Sequence, residues 1–238
     1  MLSEQRGGTA NLLEVALENH WTKCVFSSTA AIYGNPVSER IAEDHPKNPI
    51  NVYGQTKLVM EQLLESSCQA KDFGAVCLRY FNAAGAVSDA SIGEAHDPET
   101  HLIPNALKAA SGTEQPLTIF GDGYPTPDGT CIRDYIHVED LADAHLKAMD
   151  HLQTHTGFAA FNLGNGQGFS VRKVFAACEG IVGREIPHTI GASREGDMVT
   201  LVADASRAKE QLGWVPSQVV IKDVVASARA WHELYKQE

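Results

Sequence analysis

Positive charge is the first thing this chain has little of. Its 238 residues carry 19 Lys and Arg against 30 Asp and Glu, a formal net charge of -11. So acidic a surface argues against non-specific binding to nucleic acid or to an anionic membrane. It leaves room for one anionic ligand held by a local cluster of arginines. Cysteine is also scarce: Cys24, Cys68, Cys77, Cys131 and Cys178 form no C-x-x-C pair. An odd count without that spacing predicts free thiols in a reducing compartment, not a disulfide frame or a zinc site. No apolar run reaches the roughly 18–20 residues of a membrane span. The start, Met1-Leu2-Ser3-Glu4-Gln5, shows no basic region followed by an apolar stretch, so no signal peptide is expected and the cytoplasm is the expected location. No internal repeat or low-complexity tract interrupts the chain.

What is present is an alternation of helix and strand patterns. An apolar stripe over Leu12, Leu13, Val15, Ala16 and Leu17 predicts a helix, with Thr9 as its amino-terminal cap. Short apolar runs at 23–28, 75–81 and 159–163 predict buried strands. Helices are predicted over 53–70, near 101–111 and 139–152, from Ser170 to Gly180, and over 222–236. Short strands are expected near 186–190 and 199–203. This order predicts an α/β fold with a parallel sheet covered on both faces. The segment 85–133 is richer in Gly, Pro and polar residues and reads as a substrate-side insertion.

Tyr53-Gly54-Gln55-Thr56-Lys57 places a tyrosine and a lysine four apart, on one face of a helix. An ammonium beside a phenol favours the phenolate, which is a competent general base. Upstream, Phe26-Ser27-Ser28-Thr29 ends a strand in three hydroxyl residues, where parallel sheets bind ligands. Simple strand-end hydrogen bonding accounts for Ser27 and Ser28 equally well. Gly164-Asn165-Gly166-Gln167-Gly168 is G-x-G-x-G, not the G-x-G-x-x-G of a dinucleotide loop, and is not read as one. His151 and His155 lie at a predicted helix end, where histidines complement the dipole, and are not read as a metal pair.

The strand, hydroxyl and Y-x-x-x-K order resembles the extended short-chain dehydrogenase/reductase family. The stretches Leu78-Arg79-Tyr80-Phe81-Asn82-Ala83-Ala84-Gly85, His101-Leu102-Ile103-Pro104, Tyr124 through Val138, and Arg194-Glu195-Gly196-Asp197 resemble its UDP-glucose 4-epimerase branch. The resemblance runs from about residue 7 to 235. It implies a partial Rossmann-like doubly wound parallel sheet (1–82 and 134–165) with a smaller α/β substrate-binding domain (83–133 and 166–238). It implies interconversion of UDP-glucose and UDP-galactose by transient oxidation at C4 with bound NAD, a UDP-hexose as the substrate, and a homodimer as one arrangement.

The resemblance carries a catalytic triad onto Thr29, Tyr53 and Lys57, with Ser28 as the alternative hydroxyl. Ser27, Ser28, Tyr53, Lys57 and Tyr80 would meet NAD, with Tyr80 beside the nicotinamide. Thr29 and Asn82 would meet the sugar or diphosphate. Leu102 and Phe120 would line the uridine pocket. Arg133 and Arg194 would bind the diphosphate through their planar forks, although a salt bridge from Arg133 to Asp128 or Asp134 is the competing reading. Tyr135 is assigned to the substrate with them, and Asp197 to the ribose. His101, where some epimerases have Asn, would still donate to a phosphate. Leu201 falls where the family gates the sugar pocket, and its small size suggests room for an N-acetylated hexose. Thr29 is followed by Ala30 and Ala31, not by an acid, which counts against a 4,6-dehydratase. The resemblance also implies that about 100 residues bearing the G-x-x-G-x-x-G loop precede the matched region in a relative. The strand at 23–27 is then expected to lose its inner neighbour and present an open edge. A UDP-sugar-binding module without redox chemistry is the alternative function.

Overall fold

The computed structural model describes residues 2–70, 72–112, 116–194 and 197–235. It divides into two compact units: Met1–Phe81 with Ala142–Gly164 and Ala203–Val215, and Asn82–Leu141 with Asn165–Val202 and Pro216–Glu238. The expected two-part organisation placed 134–141 with the first part and 203–215 with the second; the compact units take these segments the other way.

The first unit is built on β1 (Lys23–Thr29), β2 (Gly74–Tyr80) and β6 (Gly157–Leu163), all parallel, in the order β1-β2-β6. Their apolar runs are continuous because a parallel strand is covered on both faces. Helices α1 (Leu2–Glu18) and α2 (Val52–Ala70) pack on one face. There Leu13, Leu17, Leu64 and Cys68 meet Cys24, Phe26, Ala75, Cys77, Phe158 and Ala160. Thr9 lies inside α1, not at its cap, because the helix already begins at Leu2. β1 is an edge of this three-stranded sheet among the described residues.

Helix α2 is started by Asn51, whose side-chain oxygen accepts from the Gly54 N–H at 2.8 Å. Gly54 then lets the helix approach the short 3-10 turn Ala30–Tyr33 that follows β1; a Cβ at Gly54 would lie 2.4 Å from the Ala31 carbonyl oxygen. That close approach sets the distance between the end of β1 and the first turn of α2.

Between sheet and α2 lies a buried polar network that the apolar patterning did not announce. Arg79 grips Glu61 with two parallel hydrogen bonds, Nε to Oε1 at 3.0 Å and Nη2 to Oε2 at 2.7 Å. Its Nη1 donates to the Tyr33 hydroxyl at 2.8 Å, and that hydroxyl donates to Asn162 Oδ1 at 2.6 Å. Burial pushes the Tyr33 phenol up to about 12, against the opposing pull of Arg79.

The second unit has a mixed sheet of β3 (Asn82–Ala84), β5 (Ile132–His137) and β7 (Gly168–Ser170), with β9 (Thr200–Leu201) also on β5, and a separate parallel pair β4 (Leu117–Phe120) and β8 (His188–Gly191). β7 runs antiparallel to β5; the other pairings are parallel. Helices α3 (Leu102–Ala110), α5 (Val171–Val182) and α7 (Ile221–Tyr235) bury a common apolar core with Ile119 and Tyr135. Ser170 caps α5, accepting from the Lys173 N–H, as its position in the sequence predicts. Helix α4 (Val138–Thr154) passes from the second unit into the first, and α6 (Ser206–Leu212) belongs to the first. Strands β3, β4, β5 and β7 and helix α6 were not expected. Among the described residues no helix is long and apolar enough to cross a membrane.

Candidate active site

In the first unit, alternation along β1 decides which hydroxyls can act. Ser28 shares the face of Cys24 and Phe26, is buried, and donates to Glu61 Oε1 at 2.5 Å. Ser28, expected among the cofactor-binding residues, completes the Arg79–Glu61 network through its side chain. Ser27 and Thr29 face the other way.

Thr29 caps the turn at the end of β1, its Oγ1 accepting from the Ala31 N–H at 3.2 Å. The Thr29 side chain also lies close enough to the Tyr53 phenol to favour its ionisation. Tyr53 is 47% exposed. Lys57, one helical turn on, donates from Nζ to the Ser27 carbonyl oxygen at 2.9 Å and lies over the Phe26 ring, 5.8 Å from the centre of the Tyr53 ring. Thr29, Tyr53 and Lys57 are thus brought together where the sequence placed them.

Their electrostatics differ from the sequence expectation. Burial pushes the Tyr53 phenol above its ordinary value, while Thr29 pulls it back. Burial also lowers the Lys57 ammonium. With its ammonium turned to the Ser27 carbonyl, Lys57 does not produce the expected acidic phenol.

Tyr80, at the end of β2, shares a three-way contact that sequence reasoning missed. Its hydroxyl lies 2.8 Å from Ser27 Oγ and 2.6 Å from His145 Nε2, and Ser27 Oγ is 3.3 Å from that nitrogen. His145 comes from α4. Its only trace in the sequence is a polar residue beside the buried stripe Leu141, Ala144, Ala148 and Leu152.

The second unit holds a cavity of about 970 Å³, at the upper end of small-ligand pockets. Asn82, His101, Leu102, Phe120, Arg133, Tyr135, Arg194 and Asp197 all line it. Asn82 sits on β3 opposite Tyr135 on β5, and Tyr135 belongs mainly to the core. Arg133 donates from Nη1 to the carbonyls of Ile132 at 2.9 Å and Met198 at 2.6 Å. The carboxylates that competed for it are engaged elsewhere: Asp134 accepts from the Asn165 and Gly166 N–H groups, and Asp128 from Thr130 and Ser170. The Asp134 contacts also explain the Gly164–Gly168 loop, a tight turn wrapped on a carboxylate.

Arg194 stacks on Phe120, its guanidinium carbon 3.7 Å from the ring centre. Glu195 and Gly196, between Arg194 and Asp197, lie outside the described residues. His101 Nδ1 is turned to Glu94 and Glu99 at 2.5 and 2.9 Å, not offered to a phosphate through that nitrogen. Leu201 is buried in β9, paired with Arg133, and is not among the described residues lining the cavity. His151 and His155 stack face to face at 4.0 Å, with His155 Nδ1 against Thr154 and the His151 carbonyl.

Residues 1–164 match the family model described as the NAD dependent epimerase/dehydratase family. A UDP-glucose 4-epimerase of Halalkalibacterium halodurans is 48% identical over 226 residues, covering 95% of this chain and 68% of that protein. A crystal structure of UDP-glucose 4-epimerase from Brucella ovis in complex with NAD superposes with a TM-score of 0.92 at 44% identity, over 95% of this chain and 70% of that one. The Bifidobacterium longum enzyme in complex with NAD+ and UDP gives 0.93 at 38% identity, over 99% and 70%. On the family match and on this degree of identity over two-thirds of a relative, the chain belongs to the NAD-dependent epimerase/dehydratase family.

Proposed function

We propose that this chain is an NAD-dependent UDP-glucose 4-epimerase, with its catalytic hydroxyls on the first unit and its UDP-sugar residues on the second. The observation that carries the reading is the cluster Thr29, Tyr53 and Lys57 at the carboxyl end of a parallel strand.

The residues suit the cofactor. Hydroxyls of Ser27 and Tyr80, the half-exposed Tyr53 and the Lys57 ammonium collect around the end of β1, a donor set matched to ribose hydroxyls and a carboxamide. NAD, when bound, supplies the capacity to take up a hydride from C4 of the hexose and to give it back. Lys57 would hold the ribose and, nearer the phenol, would favour its ionisation. Tyr53 Oη then takes the proton from the C4 hydroxyl, which Thr29 holds in place, and returns it after the sugar has turned over. His145 fixes the Tyr80 hydroxyl against Ser27.

For the nucleotide sugar, Arg133 and Arg194 offer forked donors to the diphosphate. Leu102 and Phe120 form apolar walls for the base, and Asn82 and Asp197 meet sugar hydroxyls. The stack of Arg194 on Phe120 preorients the guanidinium. The five free thiols support a cytoplasmic setting.

The test is conversion of UDP-galactose to UDP-glucose by the purified chain supplied with NAD, beside Tyr53→Phe. Conversion by the parent and its loss in the variant, with UDP binding retained, is the expected result. UDP binding without any conversion would instead mark a nucleotide-sugar-binding module.

A further inference from the structure

Away from the catalytic triad, the loop before α3 gathers two imidazoles and two carboxylates. Glu94, His96, Glu99 and His101 each turn one ligating atom inward, and all four atoms lie within 4.8 Å of one another. Glu94 Oε1 is 2.8 Å from His96 Nδ1 and 2.5 Å from His101 Nδ1, and Glu99 Oε1 is 2.9 Å from His101 Nδ1. One imidazole N–H therefore faces two carboxylates, and one carboxylate oxygen faces two imidazoles. Protons alone bridge this group poorly, since each N–H points at one acceptor.

The cluster has a frame. Trp231 Nε1 donates to the Glu94 carbonyl at 2.9 Å, and Gly93 lies so close to the indole that a Cβ there would sit 2.3 Å from a ring carbon. Glu99 Oε1 also accepts from the Thr100 and His101 N–H groups at 2.7 and 2.8 Å. That holds the carboxylate as an outer-shell contact holds a metal ligand. His96 is the open side, 62% exposed.

We propose that Glu94, His96, Glu99 and His101 form a binding site for a divalent transition metal, with Zn2+ as the ion that fits best. Two imidazole nitrogens and two carboxylate oxygens are a zinc donor set. Three of the separations between ligand atoms are 2.5–2.9 Å and all lie within 4.8 Å, so the four atoms can surround one ion at about 2.0–2.2 Å once they open outward. Mg2+ and Ca2+ prefer all-oxygen shells and should compete weakly.

Zn2+ binding to the full chain, freed of metal by chelation and dialysis, is measured by native mass spectrometry and titration calorimetry. The expected result is one Zn2+ per chain, unaffected by excess Mg2+. His96→Ala, a substitution at an exposed side chain, should weaken binding at least tenfold without changing the metal-free melting temperature. Co2+ in place of Zn2+ should give the intense visible absorption of a four-coordinate ion. No uptake, uptake untouched by His96→Ala, or uptake lost instead in His151→Ala would overturn the assignment.

Discussion

At the scale of residues, the ionisation of Tyr53 is the point on which activity turns. Burial holds its phenol above the ordinary tyrosine value and Thr29 pulls it down. Thr29→Val removes the downward pull, so the ascending limb that reports the phenolate should move to higher pH and the rate at neutral pH should fall. A pH–rate profile reads this; an unmoved profile would separate Thr29 from Tyr53. Loss of the base itself, in Tyr53→Phe, should lower kcat by about 10²–10⁴-fold. His101 is a second titrating group. Its folded value, raised to about 9, exceeds the ordinary one of 6.5, so its contribution to stability is whole below the unfolded value and is lost as pH rises through 9. An NMR titration of the metal-free chain should place the imidazole near 9, and Glu94→Gln should bring it down. Of these residues, the sequence made Tyr53, Lys57 and Thr29 legible through one spacing and one strand end. It did not separate Ser27 from Ser28 by role, because the side of the sheet each faces depends on where α2 packs. Nor did it offer His145, which reaches Tyr80 from a helix 65 positions away.

At the scale of elements, α2 links stability to the active site. Its Glu61 receives Arg79 and Ser28 in the interior, and its first turn presents Tyr53. Removing one side of a buried, doubly hydrogen-bonded pair leaves a charge without its partner. Glu61→Ala should cost about 3–5 kcal/mol, read by denaturant unfolding. A loss under 1 kcal/mol would mean that water reaches Arg79 as a replacement. Gly54→Ala should push the helix from the Ala31 carbonyl and lower kcat more than it raises the KM for UDP-sugar. The long elements were readable because each has its own period: β1, β2, β6, α2, α5 and α7 were all expected within a few residues of where they lie. The missed strands are short, three residues in β3 and β7 and four in β4. Such strands exist through their partners, and a run that short carries no period of its own. β5 is longer, but the arginine and aspartate at Arg133-Asp134 broke its apolar pattern.

At the scale of the whole molecule, the chemistry is divided between two units, neither of which is continuous in sequence. The first carries the proton-transferring hydroxyls, the second an arginine-bearing cavity in a protein of net charge -11. The two arginines suit a diphosphate, and UDP should raise the melting temperature of the chain by mass action. The measurement closest to the central claim is the conversion of UDP-galactose to UDP-glucose with NAD present, run on the parent chain and on Tyr53→Phe at matched UDP occupancy. The account predicts turnover by the parent and its near-complete loss in the variant; a parent chain that binds UDP without turnover, or a variant that turns over at the parental rate, would contradict it.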